Sequence, residues 1–135
     1  VGNQDLKDTP QNVNDTKQFV VNTVTRNLVE QMNATSATLP SGDSEFDAVG
    51  IDRAASTVVD PPRVAAAKLA FECELYEWID VGGSILILGE VVHAHVDDSV
   101  LTDGKLDIEK LDTVGRLAGS QYASTFDRFS IDRPS

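Results

Sequence analysis

Cysteine is nearly absent: Cys73 stands alone in 135 residues. A single thiol forms no internal disulfide, so a reducing compartment is expected and the localisation reading is cytoplasmic. No apolar run approaches the ~20 residues that a membrane-spanning helix needs. No positively charged start leads into an apolar block, so no signal peptide is expected. Basic residues are scarce, 11 Lys and Arg against 22 Asp and Glu, for a net charge of −11. That field repels duplex nucleic acid and anionic membrane surfaces, and neither partner is expected. An anionic ligand would need a local site. The chain opens on Val1, without a Met, so a fragment of something longer is expected. Asn14-Asp15-Thr16 and Asn33-Ala34-Thr35 fit the glycosylation pattern, which carries little weight without a secretion signal.

What is present suffices for one globular domain, residues 1–135, with 41% apolar residues. Thr9 suits a helix N-cap and Pro10 its first position, predicting a short helix over residues 9–18. "FVVNTVT" (19–25) is β-branched and predicts a strand. A helix is expected over 26–36, with Leu28, Val29 and Met32 on one side, and a helical turn over 45–50. Residues 51–66 read as irregular around Pro61-Pro62. In "AKLAFECELYEWID" (67–80) Leu69, Phe71, Cys73 and Leu75 alternate with Glu72 and Glu74. "VGG" turns the chain, and "SILILGEVVHAHVDD" (84–98) returns as the partner strand of a long hairpin. Ile85 to Leu88 are apolar on both faces, so a second cover, such as another subunit, is expected. A weak helix within 107–123 and a last strand over 126–131 complete the reading. The fold class is α+β with mostly antiparallel pairing.

Several groups could carry chemistry. The helix start at Lys7–Asn12 combines unpaired backbone N–H groups, a helix dipole, a lysine and a threonine hydroxyl, the parts of a small phosphate site. A capped helix with a solvated lysine is the plainer reading of the same residues. His93 and His95 form an H-x-H pair on one strand face, with Asp97 beyond. No further histidine exists and only carboxylates could complete a shell, so no metal site is expected. Glu72 and Glu74 could form an acid–base pair, but the solvent- or partner-facing side of a strand is preferred for them. Cys73 reads as a small hydrophobe. Trp78 and Tyr76 read as core or interface.

"KDTPQNVNDTKQFVVN" (7–22) resembles the signature of the flavin reductase-like, FMN-binding split-barrel family. "VVDPPRVAAAKLAFECELYEWIDVGGSILILGEVVHAHVDD" is similar to the family's Pro-Pro-Arg segment, its Glu-Cys strand and its Gly-Glu-Val strand. "LDTVGRLAGSQYASTFDRFSIDRP" is similar to its C-terminal segment. The resemblance implies a split β-barrel, here lacking its N-terminal strands, with FMN at a homodimer seam. It implies that Lys7, Asp8 and Thr9 touch FMN, that Asn12 supports them, and that Arg116 and Tyr122 line the flavin or substrate side. NAD(P)H is the implied co-substrate, passing electrons through FMN to free flavin or another acceptor. The missing half would come from an upstream segment or a second chain. The family's Gly-Asp-His is replaced by "VGGS". Two alternatives stand beside the oxidoreductase: a non-catalytic FMN-binding electron carrier, which the absent Gly-Asp-His favours slightly, and a truncated dimerising fragment that binds no flavin. No catalytic residue is assigned.

Overall fold

The run from Leu69 to Val96 contains no proline and one Gly-Gly pair, which favours two long strands and a tight turn. The computed structural model describes residues 13–34 and 51–134. In it β4 (Leu69–Val81) and β5 (Ser84–Val96) pair antiparallel around Gly82 and Gly83. Both glycines have positive φ, +56° and +91°, which the turn requires and side chains resist. The expected hairpin is therefore present.

β1 (Gln18–Asn22) pairs antiparallel with the other edge of β4, placing Phe19 opposite Cys73. The sheet order is β1-β4-β5. Gly89 on β5 lets the Phe19 ring lie across the sheet, because a Cβ there would stand 2.3 Å from the ring's Cζ. Two register shifts interrupt β4–β5. At the first, Glu72 opposes His93 while Cys73 opposes Val91, so Val92 is the extra residue. At the second, Leu75 opposes Gly89 and Glu77 opposes Leu88, so Tyr76 is extra. Such bulges bend a strand and re-aim its side chains.

Short antiparallel ladders surround the sheet. β2 (Arg53–Ala54) pairs with β3 (Arg63–Val64), β6 (Leu101–Thr102) with β7 (Lys105–Leu106), and β8 (Val114–Arg116) with β9 (Tyr122–Ser124). The segment after β1 runs into β8: Thr25 bridges Thr113, and Val114 N–H donates to the Val24 carbonyl at 3.1 Å. The buried apolar residues are few and mostly small, among them Ala70, Cys73, Val59 and Val100.

Helix is sparse among the described residues. Residues 13–16 are helical, and the turn closes where Lys17 adopts φ +61°. The expected helix over 26–36 is a 3-10 turn, Arg26–Leu28, followed by α1 (Val29–Ala34). The expected turn over 45–50 and the helix start at residues 9–12 lie outside the described residues. The expected helix within 107–123 is corrected to turns and the β8–β9 ladder. Asp107 there accepts from the Thr102 hydroxyl and the Glu109 N–H, and Gly119 adopts φ +61°. Local side-chain acceptors of this kind compete with helix. The expected strand at 126–131 is also absent. Phe126, Phe129 and Ile131 lie there exposed.

Candidate functional site

Two constellations stand out. The first is a cleft of about 500 Å³ between α1 and the β8–β9 ladder. Arg26, Glu30, Ser120, Gln121 and Tyr122 are among its walls. Tyr122 sits opposite Arg116 in the ladder. Arg116 itself is exposed and not on the cleft wall, and its Nη2 donates to the Gly119 carbonyl at 3.4 Å. The structure thus brings the two expected C-terminal residues together as neighbours, with Tyr122 alone facing the cleft. The expected site residues Lys7, Asp8, Thr9 and Asn12 lie outside the described residues.

The volume is within the usual range for a small-molecule site. Arg26 supplies a cation, Ser120 and Gln121 supply polar hydrogens, and Tyr122 supplies a ring. Those groups fit a flat heterocycle carrying an anionic tail, such as a flavin mononucleotide. Arg26 was not identified from the sequence. Its contribution depends on the 3-10 turn, whose arginine amide is held by the Asp112 carbonyl far along the chain.

The second constellation lies on β4 and corrects the assignment of Glu72 to a solvent- or partner-facing side. Glu72 has no exposed surface. The segment before β3 folds over this face of the sheet and aims its amides down. Thr57 N–H donates to Glu72 Oε2 at 2.7 Å. Val58 and Val59 N–H donate to Oε1 at 2.6 and 3.0 Å. His95 Nε2 meets Oε2 from β5. The same segment is pinned further along: Asp60 N–H donates to Gln18 Oε1 at 3.0 Å and Val64 N–H to Asn22 Oδ1 at 2.9 Å. Side chains of the sheet therefore take the backbone donors of a loop that makes little ladder of its own.

Burial alone pushes the Glu72 carboxyl up. The Thr57 amide, the His95 ring and the Val58 and Val59 amides outweigh it, and the group is held down at about 2. Glu72 is thus an ionised, fully partnered carboxylate inside the protein. Glu74, two residues on, is exposed, so the two do not form an acid–base pair. Cys73 is buried and burial pushes its thiol up, in keeping with a small hydrophobe. His93 and His95 share a face as expected, their rings edge-on with centroids 4.8 Å apart.

The match to known proteins covers most of the chain. The model of the "Flavin reductase like domain" family matches residues 3–110. An uncharacterized protein of Halalkalibacterium halodurans is 36% identical over 96% of this chain and 65% of its own length. One from Aquifex aeolicus is 38% identical over 93% of this chain and 66% of its own. The chain thus spans slightly under two thirds of the length of these relatives. Among solved structures, nitrilotriacetate monooxygenase component B from Bacillus cereus superposes with a TM-score of 0.88 at 32% identity, covering 94% of this chain and 66% of that one. The 2-nitrobenzoate 2-nitroreductase of Pseudomonas fluorescens gives 0.87 at 32% identity, covering 94% and 64%. A putative flavin reductase with a split barrel domain from Shewanella frigidimarina gives 0.84 at 28% identity, covering 94% and 65%. The mostly antiparallel sheet described above is accordingly part of a split-barrel fold, and the chain belongs to the flavin reductase like domain family.

Proposed function

We propose that this chain is the greater part of an FMN-binding oxidoreductase that takes electrons from NAD(P)H. The observation that carries the reading is the family match over residues 3–110. Bound FMN would supply the hydride and electron transfer between a reduced nicotinamide and a second substrate. The two proteins at 32% identity are named for a nitroreductase and a monooxygenase component. Both names fit an acceptor that is either free flavin for a separate oxygenase or a small organic oxidant.

In this reading Lys7, Asp8, Thr9 and Asn12 hold the FMN phosphate and polar rim. Tyr122 stands at the flavin or substrate side, with Arg116 beside it in the ladder. Arg26 adds the cation of the α1 cleft. A homodimer covers the apolar side chains that the hairpin leaves exposed, Leu86 and Leu88 among them. The compartment proposed is the cytoplasm. Replacing Lys7 with Met weakens FMN binding by ~1–3 kcal/mol, the range for one charged hydrogen bond. Fluorescence titration of FMN into the full-length protein measures it, and an unchanged dissociation constant removes Lys7 from the site.

One observation favours a second reading, an electron carrier without nicotinamide turnover. The hairpin turn is Gly82-Gly83-Ser84, with no imidazole where a Gly-Asp-His would offer one. NAD(P)H consumption by the FMN-loaded full-length protein separates the two. Turnover supports the oxidoreductase. Flavin binding without turnover supports the carrier.

A further inference from the structure

The H-x-H pair lacked a third ligand in the sequence, and the fold supplies one. Glu72 is directly opposite His93 in the β4–β5 ladder, so their side chains leave the sheet on one face. His95, opposite Ala70, is the diagonal neighbour on that face and already touches Glu72. One ligating atom from each of Glu72, His93 and His95 lies within 4.8 Å of the others. We propose that Glu72, His93 and His95 form a binding site for a divalent first-row transition ion, with Zn²⁺ the best match to two imidazoles and one carboxylate.

The chemistry of the three groups supports this. Glu72 is fully buried, and its Oε2 already meets His95 Nε2. Its three backbone donors act as the outer hydrogen bonds that hold a ligating carboxylate in place. The ion takes the place of the proton between Glu72 Oε2 and His95 Nε2. That proton leaves to solvent, and no backbone bond to Glu72 is broken. Among the described residues the His93 side chain makes no hydrogen bond; its ring meets His95 edge-on. It is free to rotate in from the present spacing to the roughly 3.4 Å between ligand atoms of a tetrahedral zinc site.

His95 borders a cleft of about 360 Å³, walled in part by Ala65, Ala67 and Ala94. Arg63 and Asp97 border the same cleft with opposite charges. Asp97 is already engaged, accepting from Ser99 N–H at 2.8 Å and facing Lys68 Nζ at 3.8 Å, so it is not counted as a ligand. This site is independent of the flavin reading, because none of its three residues belongs to the α1 cleft or the Lys7–Asn12 segment.

The test uses Co²⁺ as a spectroscopic stand-in for Zn²⁺ on the full-length protein without added flavin. The expected result is a saturable visible d–d absorption at about one ion per chain, displaced by Zn²⁺. His93→Ala removes a ligand that carries no structural hydrogen bond. It should abolish the band and weaken Zn²⁺ retention by about 10- to 100-fold or more, with an unchanged circular dichroism spectrum. No Co²⁺ band in the wild-type protein overturns the site. So does a band that survives His93→Ala unchanged, which would place the ion elsewhere.

Discussion

The two halves of the β4–β5 hairpin share strands and an apolar–polar alternation, yet differ in burial. Away from the turn the burial is on β4, where Ala70 and Cys73 are 0% and 3% exposed and the charged Glu72 0%, while Val91 and Val96 opposite on β5 are 55% and 39% exposed. In the half next to the turn, Tyr76, Val81 and Leu86 are 73%, 55% and 49% exposed. Alternation does not distinguish them. The inner half is held between β1 on its edge and the 57–64 segment on its face. The outer half has neither, and Tyr76 bulges out of the ladder where the cover ends. What lies over a strand decides its burial, and a carboxylate can be placed in the interior when the cover brings its own hydrogen-bond donors.

Removing the donors' acceptor breaks the comparison most severely. Glu72→Ala strands three backbone amides and the His95 ring, and should cost about 3–5 kcal/mol in urea unfolding, the range for losing one partner of a buried charged network. A loss under about 1 kcal/mol would mean that water reaches these amides easily.

Acid probes the same carboxylate without a mutation. Its folded value, about 2, lies below the ordinary carboxylate value of 4.5, so the folded state favours the ionised form. The stability it contributes is complete above about 4.5 and is lost as the pH falls toward 2. Thermal melts across that window should fall more steeply for the wild type than for Glu72→Gln. Parallel curves would contradict the depressed value.

Gly89 marks the boundary between the halves. Gly89→Leu drives a side chain into the Phe19 ring, and overpacking of this kind costs about 1–3 kcal/mol. Phe19→Ala in the same background should recover part of it, a coupling that a double-mutant cycle measures. At the outer end Tyr76→Ser should change the stability of the monomer by no more than about 0.5 kcal/mol, as for ordinary surface positions. A larger loss that depends on protein concentration would place Tyr76 in a subunit contact.

The hairpin, its turn and the β1 strand are all legible in the sequence, because strand alternation and Gly-Gly are local signals. The family is legible too, from motifs in a fixed order. Glu72 is not. Its partners lie 13 to 15 residues earlier, in a stretch that reads as irregular, and the bulge at Val92 leaves no mark in the alternation. The weak helix expected within 107–123 does not form. Asp107 and Gly119 prevail there through local hydrogen bonding and a left-handed backbone. Arg26 escaped for the reason Glu72 did: its setting is made by residue 112, which is distant in sequence.

The most direct test of the functional reading is an anaerobic titration of the FMN-loaded, full-length protein with NADH and NADPH, followed by the flavin absorbance. The account predicts a stable yellow complex whose absorbance is bleached by one or both nicotinamides and returns on adding an electron acceptor. A protein that retains no FMN, or one whose flavin stays oxidised with both nicotinamides, would contradict it.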